Sequence, residues 1–133
     1  MNNLELLNTT QDFAVVGMND DPKKYANKIF KKLKAKNKTV YGVNRNYETI
    51  DNETIYNTVN DIEGAVDIAV MVVNPRIGVT LLEGIKDKGV TTLWLQPGTI
   101  SDELLAKAET LGLHVVEDCV LRLYYNEENN ITQ

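Results

Sequence analysis

The residues best suited to chemistry stand where apolar runs give way to turns. Gly17-Met18-Asn19-Asp20-Asp21-Pro22 closes the first run. A glycine followed by a helix start brings free backbone N–H groups to the positive end of a helix dipole, and both stabilise phosphate. A dinucleotide fingerprint of the form G-x-G-x-x-G asks for three glycines, and this loop has one. Asn44-Arg45 follows the second run, at the place where NAD enzymes carry an acid for the ribose hydroxyls. With the acid and two glycines missing, a nicotinamide-cofactor enzyme is disfavoured. An arginine at this place either takes an extra phosphate, which guanidinium grips bidentately, or pairs with a surface acid. Asn74 to Arg76 and Gln96 to Gly98 close two further runs.

Hydrolytic and metal chemistry find little to work with. The lone His114 alternates with apolar neighbours and reads as a structural strand residue, and one His with one Cys makes no zinc set. Neither H-E-x-x-H nor G-x-S-x-G occurs. Glu117 and Asp118 beside Cys119 disfavour the thiolate that a nucleophile needs, so a quiet cysteine is expected.

The elements that must position these residues follow from periodicity. Residues 12–17 read as a buried strand, and Asp21 as the cap of a helix beginning at Pro22 with Ala26, Ile29, Phe30 and Leu33 on its apolar stripe. Residues 39–43 form the second strand, while 44–64 are polar, turn-rich and unassigned. Residues 66–73 form the third. Asn74 then caps a helix starting at Pro75, with Ile77, Leu81, Leu82 and Ile85 facing the core. Residues 91–95 make the fourth strand. Ser101 caps a helix with Asp102 and Glu103 at its positive end, Leu104, Leu105, Ala108 and Leu111 on its apolar face, and Gly112 as its stop. Residues 113–116 make the fifth strand. Alternating strands and helices predict an α/β, Rossmann-like, doubly wound parallel sheet of about five strands in three layers, α/β/α. Ligands of such sheets bind beyond the carboxyl ends of the strands, where strand order reverses. Residues 1–11 and 126–133 are polar termini, the first a short helix through Leu4 and Leu7 and the second expected to fray.

Charge and composition narrow the partners. The 133 residues carry a formal net charge of −5, yet residues 22–38 hold eight of the 14 basic residues and no acid. These lysines either coat the solvent face of a helix or form an anion-attracting rim beside a cleft. The acidic balance disfavours general nucleic-acid binding, which needs several basic contacts on one surface. The longest apolar run, residues 68–73, is far shorter than the roughly 20 residues of a membrane-spanning helix. The start lacks the basic and apolar regions of a secretory signal, and the lone cysteine agrees with a reducing compartment, so a cytoplasmic location is expected.

Six stretches taken together resemble a known family: Val15-Val16-Gly17, Lys24-Tyr25, Val43-Asn44, Val66-Asp67, Leu93-Trp94-Leu95-Gln96-x-Gly98 and Leu113-x-Val115-Val116-x-x-Cys119. Over residues 13–123 the chain is similar to the small stand-alone CoA-binding proteins, related to the CoA-binding domain of the succinyl-CoA synthetase α subunit. The resemblance implies a CoA-binding domain over residues 12–125 that holds CoA or an acyl-CoA non-covalently, without metal and without catalysis of its own. The implied contacts are Gly17 for close approach, backbone amides of Met18 and Asn19, charge from Lys24 and Arg45, and Tyr25, Asn44, Asn74, Arg76 and Cys119 around them. With the CoA thiol directed at it, Cys119 would form a mixed disulfide under oxidising conditions; buried, it would be inert. A protein partner or a homo-oligomer stays open. Met18-Asn19 stands where the family has a small residue and serine, Asn44-Arg45 where it has Asn-Pro, Val73-Asn74 where it has Phe-Arg, and Glu117-Asp118 where it has Asp-Arg. Met18 in place of a small residue favours the alternative, an interaction or regulatory module whose nucleotide site is degenerate or occluded.

Overall fold

In the computed structural model, which describes residues 1–131, the apolar runs become the strands of one sheet. Helix α1 (Asn3–Thr9) leads into β1 (Asp12–Val16), α2 (Tyr25–Ala35), β2 (Thr39–Val43) and a hairpin of β3 (Thr49–Ile50) and β4 (Glu53–Tyr56). A 3-10 turn at Val59–Asp61 precedes β5 (Ile68–Met71), α3 (Pro75–Lys88), β6 (Thr92–Leu95), α4 (Asp102–Thr110), β7 (His114–Glu117) and α5 (Val120–Glu128). The strand order is β3-β4-β2-β1-β5-β6-β7. All pairs are parallel except β3 with β4, and the order reverses between β1 and β5.

Alternation along β1 divides the core in two. Phe13 and Val15 face α1, α2 and α5, where Leu7, Ile29, Leu33 and Tyr124 are fully buried. Ala14 and Val16 face α3 and α4, against Leu82, Ile85, Leu104 and Ala108. With both faces covered, the central strands are apolar throughout, as parallel sheets require.

The sheet has seven strands within the described residues, not about five. The added pair, β3 and β4, lies in the segment that carried no assignment. Asp51 (φ 51°) and Asn52 (φ 66°) both adopt left-handed backbone, making the tight two-residue hairpin turn. Asp-Asn is a weaker signal for that turn than Asn-Gly, and β3 is too short to show a period. Three other expectations need correction. Helix α2 starts at Tyr25, not Pro22, because the Asp21 carboxylate accepts from Lys23 N (2.9 Å) and its carbonyl from Lys24 N (3.0 Å), closing a turn first. Ile77 is 50% exposed, so the buried face of α3 is Gly78, Leu82 and Ile85. Residues 126–128, expected to fray, belong to α5, where Glu128 pairs with Lys32 (2.7 Å) and Lys36 (2.9 Å) of α2; residues 132–133 lie outside the described residues.

Asp118 ties the chain's two ends together. Its carboxylate accepts from Asn3 Nδ2 (2.9 Å), from Cys119 N (2.8 Å) and from Arg122. Burial alone would push this carboxyl up, but the three donors outweigh it and hold it below the usual range. A depressed folded value gives stability that is complete above the unfolded carboxylate value, about 3.9, and is lost as pH falls through the folded one. We expect Asp118→Asn to lower stability at pH 7 by about 1–2 kcal/mol, and to lose less on acidification than the wild type below about pH 4. Denaturant titrations across that range measure both; equal acid losses in the two proteins would contradict it.

Candidate ligand cleft

Beyond the carboxyl ends of β1 and β2, on the α3 side of the sheet, lies a cleft of about 520 Å³. Strand ends supply Val16, Gly17, Val43, Asn44 and Arg45; the 3-10 turn and the residues before it supply Asn57 to Asn60. Helix α3 supplies Arg76 and Ile77, Thr80 and Leu81, and Gly84 and Ile85, a stripe repeating every four residues along one helix face.

Backbone geometry explains the glycine that opens this cleft. Gly17 has φ +99°, and a Cβ there would lie 2.5 Å from the Val72 carbonyl oxygen, so no other residue fits. The amides of Gly17 and Met18 both donate to Val43 O, at 2.9 and 3.1 Å. This corrects the expectation that Met18 offers its amide to phosphate: that N–H closes β1 onto β2 instead. Asn44 holds the neighbouring loop in place, donating from Nδ2 to Met18 O (2.8 Å) and accepting from Asn46 N (2.9 Å). Tyr47 Oη adds a bond to Asp20 Oδ1 (3.2 Å) between the same two loops.

The charged side chains of the cleft are both cationic. Arg45 and Arg76 are exposed, and neither makes an ion pair or a side-chain hydrogen bond among the described residues. The cleft lining contains no carboxylate, lysine, histidine or cysteine. In a chain with 19 acids against 14 bases, two guanidinium groups without an acid between them form a local site for anions. The walls beside them, Val43, Val59, Leu81 and Ile85, are apolar. This combination fits a ligand with phosphates at one end and a flat apolar body.

Of the residues expected at the site, the fold brings together Gly17, Asn44, Arg45 and Arg76. The others lie outside the cleft lining. Met18 is 1% exposed and packs on the α2 side of the sheet, with its Cγ 2.9 Å from where a Cβ on Gly42 would stand. Asn19 accepts from Asp21 N and, on its carbonyl, from Asn27 Nδ2. Lys24 precedes α2 and Tyr25, 63% exposed, begins it. Asn74 caps α3 through Ile77 N at 3.1 Å. Cys119 precedes α5 after β7, three strands from β1, a separation of about 14 Å at the usual strand spacing.

Sequence reasoning missed Asn57, Thr58, Asn60, Thr80, Leu81 and Gly84 as a group. Two signals could have found them. Thr58-Val59-Asn60-Asp61 is a capping-box pattern, and Asp61 Oδ2 does accept from Thr58 N (3.2 Å) and Oγ1 (3.1 Å). The spacing Arg76, Thr80, Gly84 marks a helix face without large apolar residues. The Trp-x-Gln-x-Gly stretch, by contrast, braces the far edge of the sheet: Trp94 Nε1 donates to Asp118 O (2.9 Å) and Gln96 Oε1 accepts from Val120 N (2.9 Å) at the start of α5.

Among the described residues no helix is long and apolar enough to cross a membrane, and no group of three or more His, Cys, Asp or Glu could hold a metal ion. The α subunit of an ADP-forming acetate–CoA ligase II from Pyrococcus furiosus is 37% identical over 78 residues, 58% of this chain. The chain spans only 17% of the length of that subunit. A hypothetical protein from Pyrococcus horikoshii OT3 superimposes with a TM-score of 0.86 at 29% identity, over 92% of this chain and 87% of its own. A dinucleotide-forming acetyl-coenzyme A synthetase 1 from Ca. Korarchaeum cryptofilum, solved with phosphate and ADP, gives 0.72 at 26% identity, over 87% of this chain and 27% of its own. Residues 11–125 match the family described as CoA binding domain, and the chain belongs to that family.

Proposed function

We propose that this chain is a cytoplasmic protein that binds CoA or an acyl-CoA non-covalently in the cleft beyond β1 and β2, and catalyses no reaction by itself. One observation carries the reading: an apolar-walled cleft holding two arginines and no acid, in an acidic chain. CoA brings a 3′-phosphate and a 5′-diphosphate on an adenine nucleotide, and it supplies a thiol for acyl groups. Arg45, at the end of β2 where the ribose is gripped in related folds, takes the 3′-phosphate. Arg76, in the first turn of α3, faces the diphosphate. The cleft lining holds no carboxylate, lysine, histidine or cysteine, which supports binding without general acid–base work. Met18, the residue that favoured an occluded site, packs in the core and leaves the cleft open.

Calorimetric titration with CoA and with dephospho-CoA tests the proposal. CoA should bind, less tightly as salt is raised, and dephospho-CoA should bind at least about tenfold more weakly, the equivalent of one lost charge-assisted hydrogen bond. Absence of heat and of any melting shift with both ligands would remove it.

A further inference from the structure

At the edge of the sheet away from the cleft, β7 pairs with β6 on one side and with no described strand on the other. His114 N donates to Thr91 O and Asp118 N to Leu95 O, so every second residue from His114 turns its backbone to β6. Alternation then turns the N–H and C=O groups of Val115 and Glu117 outward, where no described group bonds them. A row of free backbone groups is a template for another strand. β7 carries no proline, lysine or bulge, the common guards of such an edge.

Beside this edge, on the α4 face of the sheet, lies a groove of about 490 Å³. Leu105, Leu113 and Val115 give it an apolar floor, and a carboxylate stands at each end. Glu109 is in the last turn of α4, where the chain turns back toward the start of β7, and Glu117 is the last residue of β7. Neither forms an ion pair among the described residues. The lining holds no lysine or arginine, and His114 alternates with Val115 toward the α5 face. Lys86, whose Nζ lies 3.8 Å from where a Cβ on Gly112 would stand, pairs with neither acid. The edge and the groove therefore make two independent demands. The free backbone groups call for an extended chain, and the groove calls for side chains that are basic, apolar and basic in turn. Residues two apart in a strand face the same side about 7 Å from one another, so one short strand meets both.

We propose that β7 and its groove receive an extended segment of a partner protein, which adds an eighth strand and points alternate basic, apolar and basic side chains toward α4. A second copy of this chain meets the demand poorly: pairing β7 with itself about a two-fold axis keeps the two α4 faces on one side and gathers four carboxylates, Glu109 and Glu117 from each. The site lies three strands from β1 and does not depend on the CoA reading. The test is an NMR titration of the isotope-labelled protein with three synthetic peptides: Thr-Lys-Thr-Val-Thr-Lys-Thr, the same peptide with glutamate for both lysines, and the lysine peptide with N-methylated backbone amides. The lysine peptide should shift the amides of Val115 and Glu117 and bind about tenfold more tightly than the glutamate peptide, because two charge pairs turn from attraction to repulsion. The methylated peptide should leave both amides unshifted. Glu109→Lys combined with Glu117→Lys, both at exposed positions, should reverse the preference between the lysine and glutamate peptides. Shifts confined to other surfaces, equal binding of those two peptides, binding that survives methylation, or a preference unchanged in the double variant would overturn the proposal. A wild-type dimer in sedimentation that dissociates in the double variant would overturn it too, by giving the edge to a second copy.

Discussion

Trp94→Ala is expected to destabilise the fold by about 4 kcal/mol, within the range of roughly 3–5 kcal/mol for emptying a large aromatic site in a core. Trp94 is fully buried in β6, in register between Val70 of β5 and Val116 of β7. Its indole N–H meets Asp118 O at 2.9 Å, so alanine removes packing and a hydrogen bond together. Domains of this size are stable by about 5–15 kcal/mol in total, and one substitution would remove a large share. Trp94→Phe separates the two losses: most of the volume remains, Asp118 O lacks its donor, and the cost falls to about 1–2 kcal/mol. Urea unfolding of both variants gives these values from the shift in midpoint at constant slope. A loss under about 1.5 kcal/mol for Trp94→Ala would show that the site collapses around the smaller residue and that the β6 to α5 brace is not what holds this edge.

Arg45→Ala combined with Arg76→Ala should weaken CoA binding by at least about a hundredfold. Each arginine contributes roughly 1.5–3 kcal/mol if it makes a charge-assisted bond to phosphate, and each 1.4 kcal/mol is about a factor of ten. Both side chains are exposed and bond to no described residue, so the melting temperature should stay within about a degree or two of the wild type. The single variants separate the roles. Arg45→Ala should abolish the difference between CoA and dephospho-CoA, whereas Arg76→Ala should weaken both ligands alike. The salt dependence of binding should flatten in the double variant, because the screened charges are gone. Affinity within threefold of the wild type would place the phosphates elsewhere, with the lysine-rich start of α2 as the next place to look.

Much of this architecture was legible from local chemistry. Caps and periodicity need only neighbouring residues: Asn74 before Pro75 and Ser101 before Asp102 start α3 and α4 where expected, and each accepts the backbone N–H three residues on, at 3.1 Å. The apolar runs around β1, β2, β5, β6 and β7 marked the parallel strands, most clearly at β1, β5 and β6, where both faces are buried. Six stretches scattered over residues 13–123 carried the family, and the match to residues 11–125 agrees. From the same loops Gly17, Asn44, Arg45 and Arg76 could be named as a group, since the carboxyl ends of parallel strands converge.

What local chemistry could not decide was direction and company. Met18 and Gly17 are adjacent, yet one packs on the α2 side while the other lines the cleft on the α3 side, because the turn at φ +99° sends the next side chain to the opposite face. The amides of Gly17 and Met18 looked free in the sequence and are bonded, since Val43 O arrives from the neighbouring strand β2. Asn60 and Gly84 have no relation in sequence, and only the packing of the 3-10 turn against α3 brings them within contact. The composition of the chain set its overall charge at −5, but an acid-free pair of arginines exists only because the tertiary fold places the loop after β2 and the first turn of α3 on the same cleft.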